Sequence, residues 1–197
     1  MLPSAAGFVD PLLSTGFPLT LLGINRLAEL LGQKWDTDEF SNELRTYAKH
    51  TDEELVATSR LIGTLFANMG NFPLFSALTL LYFAAASYSE AACRLGKPEL
   101  APGFLLHDRP EFGKQCEVLQ NRAMRAPTGA GSADLIEDIL CAIEPIDVAG
   151  LARRDRYGWY PVDAEDILGS ARKLGSSRDE VLRMLERCGF RPATLQL

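Results

Sequence analysis

The sequence predicts an all-α protein, a helical bundle-like region with at most one short strand at its N-terminus. Two observations carry that prediction. Apolar residues recur at three- and four-residue steps through most of the chain, the period of a helix with one buried face, and no alternating run of strand length interrupts them. Each run is also bounded by helix punctuation, with a cap before it or Gly and Pro after it. No internal repeat is visible.

The first element is expected from about Pro18 to Leu31, where Leu19, Leu22, Ile24, Leu27, Leu30 and Leu31 precede Gly32. Pro18 suits a first turn, where a missing N–H costs nothing. In "WDTDEF", Asp36 and Glu39 have capping-box spacing. Beyond them Phe40, Leu44, Tyr47, Leu55, Ile62, Leu65, Phe66 and Met69 mark one face of a helix of about thirty residues, which ends at "GNFP". "FPLFSALTLLYFAAASYSEAACRLG" is a further long helix closed by Arg94 and Gly96. From Leu61 to Ser89 the chain carries no Asp, Glu, Lys or Arg. That length would allow a membrane hairpin. The break at "MGNFP", the interspersed small and hydroxyl residues and the lack of a basic flank favour buried packing, an apolar pocket wall or an interface instead.

A loop with three prolines follows, "LGKPELAPGFLLHDRP". Four helices are then expected at about Pro110 to Arg125, Ala133 to Ile143, Asp163 to Leu174 and Ser177 to Cys188. "APTGAGS" is a flexible link between the first two, and Ser177 with Glu180 forms a capping box before the last.

The 197 residues, 47% hydrophobic and 23% charged, suffice for one core, or one core and a small appendage. A net charge of −6 leaves no excess of Lys and Arg to release counterions, so nucleic acid is not an expected partner. The one basic cluster, Arg153, Arg154 and Arg156, reads as solvated surface. Cys93, Cys116, Cys141 and Cys188 form no C-x-x-C pair, which points to idle thiols rather than zinc or dithiol chemistry. The opening residues are too short and uncharged for a signal peptide, so a cytoplasmic location is expected.

Catalytic candidates are sparse. His50 reads as an exposed helix residue. His107 stands beside Asp108, but neighbours in sequence rarely face each other as base and orienting group. Asp163, Glu165 and Asp166 sit where a helix begins and suit its dipole. No G-x-S-x-G, H-E-x-x-H or Walker loop is present, and no catalytic or metal-binding set is expected. The opening stretch "GFVDPLLSTG" is more specific. A loop ending in Ser14-Thr15-Gly16 before a helix presents the amides of Ser14, Thr15, Gly16, Phe17 and Leu19 to an anion or a carbonyl oxygen. Gly16 permits close approach of a flat ring, and Asp10-Pro11 fixes the path into the turn. An ordinary capped helix start is the competing reading.

This stretch resembles the second flavin-contacting segment of FAD-dependent halogenases of the tryptophan-halogenase group and of related group A flavin monooxygenases, F-x-x-P-x-x-S-x-G. Phe8, Pro11, Ser14 and Gly16 match its fixed places, and Asp10 matches a residue often found before the proline. The resemblance implies that Phe8, Asp10, Pro11, Ser14, Thr15 and Gly16 contact FAD, with the Thr15 and Gly16 amides beside the isoalloxazine and a halide ion. Residues 1–17 would then be the terminal piece of an FAD-binding domain. Residues 18–197 would be the helical, substrate-covering C-terminal region of such a flavoprotein, to which "LLYFAAASYSEAACRLG" and "GWYPVDAED" are similar.

The departures are equally specific. The chain has no strand followed by G-x-G-x-x-G, none of Lys34, Lys49, Lys97, Lys114 or Lys173 matches the family's catalytic lysine, and Pro3-Ser4 stands where the family carries Gly-Asp. The implied protein is therefore the C-terminal portion of a halogenase-like oxidoreductase, without turnover alone. An upstream FAD-binding domain is its partner and an aromatic small molecule its substrate. Phe72, Phe75, Tyr82, Phe83, Trp159 and Tyr160 are candidates for the cavity wall, although a plain core role suits them better. The alternative is a non-catalytic helical protein-interaction module. Both imply exposed apolar surface and self-association.

Overall fold

A computed structural model of the chain describes residues 1–125, 132–153 and 163–190. Those residues form helices and turns, with no strand among them. The chain divides into two compact units, Met1–Ala67 and Asn68–Leu197, and the expected flavin turn falls within the first.

The first unit contains α1 (Pro3–Ala6), α2 (Gly16–Lys34) and α3 (Phe40–Ala67). No strand precedes the turn: α1 is a single helical turn started by Pro3, and Gly7 continues in extended backbone. α2 begins two residues earlier than the proline suggests, because Thr15 already has helical backbone angles and serves as N-cap. A β-carbon at Gly23 would lie 2.4 Å from Pro3 Cδ, so α1 seats on α2 only because residue 23 has no side chain. Tyr47 Oη donates to the Met1 carbonyl at 3.1 Å and ties the same segment to α3.

The expected Asp36–Glu39 capping box does not form. Asp36 takes a left-handed φ of 64°, and the connection closes through backbone bonds from Thr37 to Lys34 and from Phe40 to Thr37. Glu39 instead accepts from Lys34 Nζ at 2.5 Å. That hydrogen bond and charge pairing raise the Lys34 pKa and lower that of Glu39.

The expected face of α3 is only partly right. Tyr47, Ile62 and Leu65 are buried, but Leu44 and Phe66 are exposed, as is Met69 beyond the helix. The inward stripe is Tyr47, Thr51, Glu54, Thr58, Leu61 and Leu65, in alternating four- and three-residue steps. Half of it is polar. Thr51 and Thr58 can be buried because their hydroxyls donate to the carbonyls of Tyr47 (2.9 Å) and Glu54 (2.7 Å), one turn earlier.

The second unit contains α4 (Phe72–Arg94), α5 (Pro110–Met124), α6 (Ala133–Ile143), α7 (Ala164–Gly169) and α8 (Arg178–Arg187). α4 is its axis. It packs against α6 and against 3₁₀ turns at Pro98–Leu100, Phe104–Leu106, Glu144–Ile146 and Ala171–Leu174. By length and composition α4 could cross a membrane. Here it buries Leu74, Ala77, Leu78, Leu81, Ala84, Ala85, Tyr88, Ala91 and Ala92, as the axis of a core does. Asn71 caps its start by accepting from Leu74 N.

The helix expected from Asp163 to Leu174 is broken at Ser170 into α7 and a 3₁₀ turn. Tyr88 Oη donates to the Lys173 carbonyl at 3.0 Å, and Lys97 Nζ donates to Gly175 O at 2.6 Å and Ser176 Oγ at 2.7 Å. These tertiary bonds satisfy the Lys173 and Gly175 carbonyls, which the end of a helix at Leu174 would leave open. Leu168, Ala171, Val181, Met184 and Leu185 form one cluster there, and α8 carries the expected capping box of Ser177 and Glu180. The Ser177 hydrogen bonds hold the Glu180 carboxyl below its ordinary pKa.

The aromatic positions divide. Phe72 is 74% exposed and Phe83 is also exposed, which corrects the core role expected for both. Phe75 and Tyr82 are half-buried, and Tyr82 packs edge-on to Phe83 with centroids 5.2 Å apart. Trp159, Tyr160, Arg154, Arg156 and most of "APTGAGS" lie outside the described residues.

Candidate functional site

The expected flavin turn is a local structure with measurable strain. Asp10 Oδ1 accepts from Leu12 N at 2.9 Å, and this short loop starts a 3₁₀ turn over Leu12–Ser14. Inside it Leu13 and Ser14 adopt left-handed φ values of 61° and 53°. Each such placement of a residue with a β-carbon costs about 1–2 kcal/mol. Consecutive outliers of this kind collect where a backbone is shaped for contact with something else.

The strain orients three neighbours differently. Ser14 and Gly16 are exposed while Thr15 between them is fully buried, its Oγ1 without a hydrogen-bond partner. Nothing lies within 4 Å of where a Gly16 β-carbon would stand. Phe8, at 86% exposure, and Phe17, at 71%, stand in solvent near this end of α2. The donor set is smaller than the sequence suggests. Ser14 N donates to Pro11 O at 2.7 Å and Leu19 N to Thr15 O at 3.3 Å. The amides of Gly16 and Phe17 stand in the first turn of α2, where no helical acceptor precedes them, and Pro18 has no N–H. Open space before Gly16 and the positive end of a 19-residue helix would suit the edge of a flavin or a halide, whereas the orphaned Thr15 hydroxyl faces the interior.

α2 itself carries a second feature. Its inward face holds Leu19 and Gly23, against α1 and α3. Phe17, Leu21, Ile24, Ala28 and Leu31 form an exposed apolar stripe, with Trp35 just past the helix end, in alternating four- and three-residue steps. Ala28 follows Leu19 by nine residues, about two and a half turns, so the stripe lies opposite the inward face. The helix is apolar on both sides and covered on one.

Two further groups differ from their sequence reading. His50 is not a free surface residue: its Nε2 lies 3.2 Å from Glu54 Oε1. Glu54 is 1% exposed and takes a two-pronged contact from Arg26, Nη1 to Oε2 at 2.6 Å and Nη2 to Oε1 at 2.8 Å. The bidentate geometry compensates for the desolvation of the carboxylate. Nothing in the apolar periodicity announced it. His107 and Asp108 do face each other, with Nε2 3.0 Å from Oδ1. Gly103, at φ 71°, makes this possible, since a β-carbon there would meet His107 Nδ1 at 2.4 Å.

Asp163 caps α7 through Glu165 N as expected, while Glu165 and Asp166 pair with Arg178 and Arg153. Cys116 is buried and its thiol is pushed up to about 12, so it is protonated at neutral pH and no nucleophile. Among the described residues no group of three His, Cys, Asp or Glu side chains is placed to hold a metal ion. No family model, curated protein or solved structure matches the chain.

Proposed function

We propose that this chain is the C-terminal, substrate-covering portion of an FAD-dependent, halogenase-like oxidoreductase. The observation that carries the reading is α2: apolar on two opposite faces, covered on one, and headed by the strained Pro11–Gly16 turn. A helix with that pattern belongs between two layers. The reading supplies the missing layer as the nucleotide-binding portion of the flavoprotein, which would cover Phe17, Leu21, Ile24, Ala28 and Leu31.

In that protein Phe8 and Pro11 border the flavin, and Asp10 shapes the turn through Leu12 N. The amides of Thr15, Gly16 and Phe17 at the head of α2 would hold negative charge at the flavin edge or a halide there, helped by the α2 dipole. Gly16 keeps the approach clear. A reduced flavin held there would supply the electrons for oxygen activation, toward halide or an aromatic substrate. By the same resemblance the helical region, residues 18–197, would be the substrate-covering portion.

The test is to read the DNA immediately upstream of the Met1 codon. An in-frame strand, G-x-G-x-x-G and helix is the expected result. A stop codon with no such fold nearby overturns the reading. The bare stripe of α2 then favours the second reading, a non-catalytic helical module that uses this face to bind a protein partner.

A further inference from the structure

The second unit holds a partly buried arginine with one buried nitrogen that no hydrogen bond satisfies. Arg109 is the N-cap of α5, and its guanidinium carbon stands 5.1 Å from the centroid of the Tyr88 ring. Tyr88 is a fully buried aromatic of α4, fixed by its bond to the Lys173 carbonyl. Stacking on the ring satisfies the flat face of the guanidinium but none of its N–H groups, which point outward in its plane. Nη1 of Arg109 is buried and has no hydrogen-bond partner.

The nearest acid in sequence does not serve this cation: Asp108 lies against His107, 3.0 Å away. The surrounding backbone adds positive potential. Pro110 occupies the first helical position of α5, and the amides of Glu111 and Phe112 begin the helix with no acceptor from within it. The loop that delivers Arg109 is strained as well, with left-handed φ at Leu105 (55°) and Leu106 (59°). A β-carbon at Gly113 would lie 2.0 Å from the His107 carbonyl, so the loop closes on α5 only through that glycine. A water molecule would satisfy the open bond of Nη1 but would add no counter-charge. The planar fork matches carboxylate and phosphate oxygens.

We propose that Arg109, seated on Tyr88 at the start of α5, is the anchor of an oxyanion-binding site that takes a carboxylate or phosphate group of a small ligand. The site is independent of the flavin reading and stands or falls without it. The test is thermal unfolding of the whole chain, followed by circular dichroism, in rising sodium phosphate or sodium acetate against sodium chloride at matched ionic strength. One of the two oxyanions raises the Tm beyond chloride, and Arg109→Gln weakens that response by about tenfold or more. Arg122→Gln, which removes a surface arginine paired with Asp138, leaves it unchanged.

No oxyanion-specific shift in the parent chain overturns the proposal. So does an equal shift in Arg109→Gln, or an equal loss in Arg122→Gln. If Arg109→Gln does not fold, Arg109→Lys decides: it keeps the charge without the fork, so a several-fold weaker response is expected and a response equal to the parent's overturns the proposal.

Discussion

The two units of this chain solve the same problem, burying long helices, with opposite materials. In the second unit α4 buries leucines, alanines and one tyrosine, and polar groups appear mainly where Asn71, Lys97 and Tyr88 tie off turns. In the first unit the inward stripe of α3 runs through Thr51, Glu54 and Thr58, while much of the apolar surface of α2 faces solvent. Leucine on an exposed face beside glutamate on a buried one is the reverse of the usual order. The difference teaches that the second unit has the core of a self-sufficient helical assembly. The first buries the Arg26–Glu54 ion pair and leaves an apolar stripe of α2 exposed.

Three substitutions probe that contrast. The largest effect is expected from Leu78→Ala in α4, at full burial: a loss of about 2–5 kcal/mol, read from urea unfolding by far-UV circular dichroism. A loss well under 1 kcal/mol would mean that α4 is not the axis of a dry core. Next comes Glu54→Gln, which keeps the shape but removes the charge opposite Arg26; about 1–3 kcal/mol should be lost. Hydrogen exchange of the α3 amides locates that loss in the first unit, and unaltered protection there would mean that the ion pair does not stabilise it. The smallest change in stability belongs to Ile24→Glu on the bare face of α2, within about 0.5 kcal/mol. Its signature is different: sedimentation velocity should show less self-association than in the parent chain. Severe destabilisation would mean that this face is already covered.

The pattern of success in the sequence reading follows from the same physics. The helices and most of their ends were legible because period, proline and glycine act locally. Pro18 lies in the first turn of α2, Asn71 and Pro73 open α4, and Ser177 with Glu180 caps α8. The Asp36–Glu39 cap was not, because a lysine five residues before Glu39 competes for its carboxylate. The inward face of α3 was missed because hydroxyls bonded to their own helix pack like apolar groups, and because Arg26, 28 residues before Glu54, makes a buried carboxylate tolerable. His107 and Asp108 meet because Gly103, four residues earlier, clears the space.

At the candidate site, Phe8, Asp10, Pro11, Ser14, Thr15 and Gly16 stand out in the sequence as a motif, and the direction of each side chain does not. That Thr15 turns inward while Ser14 and Gly16 face out depends on the left-handed angles at Leu13 and Ser14. Sequence by itself determined that the chain is helical, where its helices run and which residues head α2, since these depend on local propensity and punctuation. Only the tertiary structure decided which face of each helix is buried, which charges are paired, and that α2 and Arg109 are left with surfaces their own unit does not satisfy. Those are properties of residues far apart in the chain, and a helical period constrains only residues near each other.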